Sequence, residues 1–146
     1  MPNKTWFITG CATGFGRSLA ERALARGDNV AVTDRDASAV ADLGAQYPDT
    51  ALALGVDVTK SDQVQAAIKA TFDRFGRIDV LVNNAGWAVQ AAVEEADIGR
   101  VRAMFDVNFF GMLDVVRAAL PGLRAQGSGH IMNFASVGGR VSGPLM

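Results

Sequence analysis

The chain has 146 residues, of which 49% are hydrophobic and 20% charged, a composition typical of one globular domain with a packed core. Its 14 basic and 15 acidic residues leave a net charge of -1 without a basic cluster, which argues against nucleic-acid binding. The single cysteine, Cys11, excludes an internal disulfide and has no partners at metal-ligand spacing. No apolar run approaches the ~20 residues of a membrane span, so we expect a cytoplasmic protein without a structural metal.

Short apolar runs alternate with stretches of helical periodicity in the first half of the chain. Residues 5–9 are a predicted strand, and after a glycine-rich turn the apolar residues recur at helical spacing until Gly27, a plausible helix end. A second strand is predicted over 29–34 and a weaker helix around 40–43. A third strand is predicted over 51–56.

The clearest helical pattern follows this third strand. From Val64 to Phe75 the apolar residues fall on one helical face. We expect Thr59 or Ser61 to be the N-cap and Gly76 to end the helix.

The second half of the chain repeats the alternation. It holds a predicted strand over 78–83, a long helix from about Ile98 to Leu120 that ends before Pro121, and a strand over 130–135. The five strands are near-continuous apolar runs, as in a parallel sheet covered by helices on both faces. The sequence therefore predicts an α/β fold with a doubly wound parallel sheet, as a single dinucleotide-binding domain over 1–146.

Ligands of such sheets bind at the carboxyl ends of the strands. The first strand ends in TGCATGFG and leads directly into a helix, so glycines permit a tight turn and a close approach by a pyrophosphate, while the helix start supplies free N–H groups. An isolated glycine-rich turn is often only a turn, but this position favours a dinucleotide. The candidate contacts are Thr9, Gly10, Thr13, Gly14, Phe15 and Gly16.

Asp34 ends the second strand, where a carboxylate can accept hydrogen bonds from the adenosine ribose and repel a 2′-phosphate. This favours NAD as the cofactor. The neighbouring Arg35 leaves NADP open, because a guanidinium can bind that phosphate, and its alternative role is that of a solvated loop residue.

Two further strand ends carry candidate residues. Asp57 can accept the adenine amino group while Val58 offers a backbone amide, although Asp57 is also suited to solvate the loop and cap the next helix. Asn83 and Asn84 can tie strand ends together through side-chain bonds to the backbone, and Gly86 keeps the path of the cofactor clear. The candidate contacts after the fourth strand are Asn84, Ala85 and Gly86.

Together these strand ends resemble the short-chain dehydrogenase/reductase family. The resemblance rests on Thr9-Gly10-x-x-x-Gly14-x-Gly16, Asn83-Asn84-Ala85-Gly86, Asp57-Val58, Val107-Asn108 and Asn133-x-x-Ser136-x-x-Gly139. It implies a Rossmann-like fold and NAD(P)-dependent hydride transfer between the nicotinamide and an alcohol or carbonyl substrate.

The resemblance also assigns catalytic roles. Ser136 resembles the serine that binds the reacting oxygen, and Asn108 resembles the asparagine that supports a proton-relay water. The Tyr-x-x-x-Lys pair that completes the site is absent, because the one tyrosine, Tyr47, follows the second helix. We therefore expect the cofactor-binding front part of the fold, without its C-terminal strands, truncated and inactive as it stands.

Two other interpretations remain open. The chain is either a non-catalytic dinucleotide-binding protein or an interaction module, since the long helix from about Ile98 resembles the main dimer-forming helix of the family and predicts a homo-oligomer. Trp87 either borders a substrate pocket or packs in the core.

Overall fold

A computed structural model describes residues 3–139; residues 1–2 and 140–146 of the predicted domain lie outside the described residues. The strands are β1 (Thr5–Thr9), β2 (Asn29–Asp34), β3 (Ala51–Gly55), β4 (Val80–Asn83) and β5 (His130–Asn133). They form a sheet in the order β3-β2-β1-β4-β5, and every neighbouring pair is parallel. The predicted doubly wound parallel sheet is confirmed, with its switch point between β1 and β4.

Within residues 3–139, five α-helices connect or follow these strands. They are α1 (Gly14–Ala25), α2 (Ala41–Gln46), α3 (Ser61–Phe75), α4 (Ile98–Phe105) and α5 (Met112–Gln126). A 3-10 turn (Ala37–Val40) precedes α2, a π-helical segment (Asp106–Gly111) joins α4 to α5, and a second 3-10 turn (Val137–Gly139) follows β5. Across residues 3–139 no helix is long and apolar enough to cross a membrane.

Helices cover both faces of the sheet, which explains the continuous apolar runs in the sequence. On one face Phe7 and Leu81 pack with buried side chains of α3 and α5. On the other face Ile8 and Val82 pack with buried side chains of α1 and α2. Neighbouring residues of a strand point to opposite faces, so each of them needs an apolar side chain here.

The strands are shorter than predicted at three of their ends. β3 ends at Gly55, β4 begins only at Val80, and β5 ends at Asn133. Val56 and Ile78 lie just beyond the paired backbone but are buried in the core. Because core burial extends past the hydrogen-bonded ladder, apolar character overestimates the length of a strand.

The predicted N-cap of α3 was wrong, whereas its end was right. Lys60 occupies the N-cap position without a capping bond from its side chain, although Thr59 or Ser61 was expected there. The Thr59 hydroxyl donates instead to Oδ1 of Asp57, over 2.7 Å. Gly76 ends the helix as predicted, with a left-handed backbone at φ 77°.

The predicted end of the long helix before Pro121 was also wrong. α5 continues to Gln126, although a proline inside a helix removes one backbone hydrogen bond. Leu123 is buried in the core, and the Cα atom of Gly122 lies so close to the Phe72 ring that a Cβ atom would overlap it. Contact between α5 and α3 therefore keeps this turn helical.

The π-helical segment has no signal in the apolar pattern. Gly111 at its end lies against the loop after β3, where a Cβ atom would come within 2.7 Å of Val58 Cγ2. The wider turn also carries Asn108, which contacts the loop after β4. Such widened turns are frequent at functional sites in other helices.

Candidate functional site

A cleft of about 680 Å³ lies at the carboxyl ends of the strands. It opens beside the switch point between β1 and β4, where doubly wound sheets bind their ligands. The predicted cofactor residues that line it are Gly10, Thr13, Phe15, Asp34, Arg35, Asp57, Val58, Asn84, Ala85 and Gly86. The structure thus brings residues from four strand ends to one place.

The glycines of the first turn occupy their positions for different structural reasons. Gly10 and Gly14 adopt left-handed backbones, at φ 72° and 63°. A Cβ atom on Gly10 would lie 2.9 Å from Ala85 Cα, and one on Gly16 would overlap the Gly10 carbonyl oxygen. A Cβ atom on Gly14 would meet no atom within 4 Å, so the space beside this residue is open to a ligand.

Thr9 and Asn84 hold the turn in place. The Thr9 hydroxyl oxygen accepts hydrogen bonds from the amides of Asn84 and Ala85, each over 3.0 Å. The Asn84 side-chain amide donates to the carbonyl oxygens of Thr9 and Gly10, over 3.0 and 2.9 Å. Thr9 is only 1% exposed and lies outside the cleft lining, so its place under the turn differs from the predicted cofactor contact.

The start of α1 faces the cleft with unused donors. Thr13 is the N-cap residue, has an extended backbone and makes no capping hydrogen bond with its side chain. The first turn contains no acidic residue, and the first amides of a helix have no partners within it. Together with the open space beside Gly14, this arrangement fits the pyrophosphate of a dinucleotide.

Asp34 lies half-buried beside the glycine turn. Its Oδ2 accepts from the Ala12 amide over 2.9 Å, and its Oδ1 accepts from the Asp36 amide over 3.3 Å. A carboxylate offers about four acceptor positions, so these two bonds leave room for the two hydroxyls of a ribose. The exposed Arg35 lines the same end of the cleft.

Asp57 makes hydrogen bonds within its own loop and also lines the cleft. Its Oδ1 accepts from the Thr59 amide and hydroxyl, over 2.9 and 2.7 Å. Partial burial opposes ionisation, but the Thr59 bonds outweigh it and lower the pKa of Asp57 below its usual value. Within the described residues Oδ2 makes no hydrogen bond, so an adenine amino group can still be accepted there.

Asn108 bonds to the loop after β4 through both the oxygen and the nitrogen of its side-chain amide. Its Oδ1 accepts from the Trp87 amide over 3.1 Å, and its Nδ2 donates to the Trp87 carbonyl over 2.8 Å. A Cβ atom on Gly86 would lie 3.1 Å from Oδ1 of Asn108, so this glycine makes room for the amide as well as for the cleft. Asn108 itself lies outside the cleft lining, and its relay role stays a prediction.

Ser136 lies exposed at the edge of the site. Its hydroxyl accepts a hydrogen bond from the Gly138 amide over 3.1 Å, while its neighbours Phe134 and Ala135 line the cleft. Within the described residues, no hydrogen bond joins Ser136 to Asn108. The structure places the two predicted catalytic residues on separate elements, Asn108 in the π-helical segment and Ser136 in the loop after β5.

Phe134 is a cleft residue that sequence reasoning missed. It follows the last strand directly, and its amide donates to the Asn83 carbonyl over 2.9 Å. Its ring lies 6.0 Å from that of Phe15, centroid to centroid. Its position directly after a strand could have predicted that it lines the cleft. Trp87, 38% exposed, also lines the cleft, which favours the pocket interpretation over core packing.

Comparison with known proteins identifies the family. The family described as "short chain dehydrogenase" matches residues 4–146. The chain belongs to this family. Oxidoreductase BOA17 of Botryotinia fuckeliana is 42% identical over 142 residues, which cover 97% of this chain and 52% of that protein.

Solved short-chain dehydrogenases share the fold. One from Streptomyces avermitilis has a TM-score of 0.92 at 42% identity, over 99% of this chain and 53% of that chain. One from Burkholderia phymatum, solved in complex with NAD, has a TM-score of 0.92 at 32% identity over the same shares. The chain thus spans about half the length of the short-chain dehydrogenases that it matches.

Tyr47 has no place in the cleft of this short-chain dehydrogenase chain. It follows α2, and its ring packs against the core layer that contains α1. The cleft as described contains no tyrosine. This agrees with the absence of the family's Tyr-x-x-x-Lys pair from the 146 residues.

Proposed function

We propose that the chain is the cofactor-binding part of an NAD(P)-dependent oxidoreductase that transfers a hydride between the nicotinamide and an alcohol or carbonyl substrate. The observation that carries this proposal is the glycine turn between β1 and α1, with open space beside Gly14 and unused amides at the helix start. Family membership and a relative solved with NAD support it. A single domain and a cytoplasmic location stay predictions from the sequence.

In this proposal the dinucleotide lies along the cleft with its adenosine at the charged end. Asp34 accepts hydrogen bonds from the ribose, and Asp57 and Val58 bind the adenine through a carboxylate oxygen and a backbone amide. The amides of Gly14 and Phe15 donate to the pyrophosphate. The Asp34 carboxylate repels a 2′-phosphate, so NAD is favoured, while Arg35 is the residue that would hold NADP.

The chemical step needs groups beyond those in the cleft. Bound NAD supplies the atom that accepts or donates the hydride. Ser136 is proposed to bind the reacting oxygen, and Asn108 to act through the loop that it holds by the Trp87 backbone. A general acid/base is worth about 10²- to 10⁴-fold in rate, and the family's tyrosine and lysine are missing here. We therefore propose that these 146 residues alone show no turnover.

The turnover test compares two lengths of the protein. The 146 residues, and a version extended through the family's Tyr-x-x-x-Lys, are assayed by nicotinamide absorbance against alcohols and carbonyls. We expect activity in the extended form only, abolished by Ser136→Ala. Turnover by the 146 residues that is lost in Ser136→Ala would reveal a catalytic base that this account lacks.

A second candidate function is self-association through α4 and α5. Large apolar side chains are exposed along these helices and the π-helical segment between them, among them Ile98, Phe109 and Leu113, which supports a homo-oligomer or an interaction module. Sedimentation velocity tests this with Leu113→Glu, which should dissociate the oligomer. Val93→Glu is the control, because Val93 is also apolar and is 87% exposed, against 39% for Leu113, but lies outside the helices. A wild-type monomer would contradict this candidate.

A further inference from the structure

Two exposed phenylalanines stand together at one end of the cleft. Phe15 is 76% exposed and Phe134 is 45% exposed, and both line the cleft. Their ring centroids lie 6.0 Å apart with 37° between the planes, which is aromatic contact. Large aromatic side chains are normally mostly buried, so an exposed pair on a cleft wall indicates a surface for a ligand.

Backbone contacts fix the positions of both residues. Phe15 lies in the first turn of α1, between Gly14 and the tightly packed Gly16. Phe134 is held by the hydrogen bond from its amide to the Asn83 carbonyl, over 2.9 Å. The glycine turn and the end of β4 thus position the backbones of the two residues independently, and their rings meet at the cleft.

The distribution of charge decides which part of a dinucleotide meets the rings. The charged residues of the cleft lining are Asp34, Arg35 and Asp57, which lie at the carboxyl ends of β2 and β3 on one side of the glycine turn. The rings lie at the turn itself and after β5, on the opposite side of the sheet order. With adenosine at the carboxylates and the pyrophosphate on the turn, the nicotinamide reaches the phenylalanines.

We propose that Phe15 and Phe134 form an aromatic subsite for the nicotinamide ring that favours the oxidised cofactor over the reduced one. The oxidised ring carries a positive charge, whereas the reduced ring is neutral. Aromatic rings attract cations through their quadrupole, so only the oxidised form gains this attraction in addition to apolar contact. This inference rests on the proposed dinucleotide site and adds a preference between its two redox states.

Calorimetry with three ligands tests the subsite. NAD+, NADH and ADP-ribose, which lacks the nicotinamide, are titrated into wild type, Phe15→Leu and Phe134→Leu. Leucine keeps an apolar side chain but removes the aromatic face. We expect NAD+ to bind each leucine variant about two- to fivefold more weakly than wild type. The affinity for ADP-ribose should be unchanged, and the affinity for NADH should fall by less than that for NAD+. Phe105→Leu, a comparably exposed phenylalanine outside the cleft, is the matched control and should change nothing.

The other outcomes separate the two proposals. If ADP-ribose loses as much affinity as NAD+, or NADH as much as NAD+, the aromatic subsite is refuted while the dinucleotide site stands. Equal affinity of wild type for ADP-ribose and NAD+ also refutes the subsite. If none of the three ligands binds wild type, the proposed function itself fails.

Discussion

Gly14→Val should weaken dinucleotide binding strongly, and Gly76→Val provides a matched control for it. Both glycines have left-handed backbones, at φ 63° and 77°, and at both a Cβ atom would meet no atom within 4 Å. Valine at either position therefore carries similar backbone strain, on the order of 1–3 kcal/mol of unfolding free energy. Only Gly14 lies at the helix start that faces the cleft.

The loss in affinity follows from the amides that the valine side chain would cover. A hydrogen bond to a charged group is worth ~1.5–3 kcal/mol, so losing one amide contact to the pyrophosphate weakens binding by roughly 10- to 150-fold. Calorimetry with NAD+ measures this, and thermal melts followed by circular dichroism check that the two variants are equally folded. If Gly14→Val unfolds, the alanine pair at the same positions replaces it.

Two results would refute this reasoning. Wild-type affinity in Gly14→Val would mean that no ligand approaches the glycine turn. An equal loss in Gly76→Val would mean that strain, transmitted through the fold, explains the effect rather than contact with the pyrophosphate.

Three further predictions concern the residues around the turn. In calorimetry, Asp34→Ala should weaken the binding of NAD+ more than that of NADP, because the carboxylate binds the ribose and repels the 2′-phosphate. Tighter binding of NADP than of NAD+ to wild type would mean that Arg35 dominates. Burial raises the pKa of the Cys11 thiol to about 12, so iodoacetamide at pH 8 should modify it only as fast as the protein unfolds; rapid labelling of native protein would contradict this. Cys11→Ser should bind NAD+ within about twofold of wild type, since a hydroxyl can replace the thiol as donor to the Ile8 carbonyl.

Much of the fold could be predicted from the sequence because the sheet is buried on both faces. Phe7 and Ile8 point to opposite layers, yet both must be apolar, so β1 is visible as a continuous run. α3 and α5 end at glycines with left-handed backbones, Gly76 and Gly127. The end of α5 was nevertheless predicted too early, because Pro121 indicated the stop. A proline signals a helix end only where tertiary contacts do not hold the turn.

Site residues at the ends of strands could be predicted from the sequence. Contacts between residues of distant elements could not. The glycine turn, Asp34 and Asp57 follow from their places in the strand order. The link from Asn108 to the Trp87 backbone depends on a widened helical turn, which has no apolar pattern of its own. The contact of Phe15 with Phe134 joins the first turn of α1 to the loop after β5, which no local pattern reports.

The most direct test of the central claim is an NMR titration of the ¹⁵N-labelled chain with NAD+. The account predicts chemical-shift changes concentrated in the amides of Gly10–Gly16 and next to Asp34, with the amide of Gln65 on the outer face of α3 unchanged. Saturating NAD+ that shifts none of these amides, or shifts only amides remote from the cleft, would contradict the assignment of this chain as a dinucleotide-binding protein.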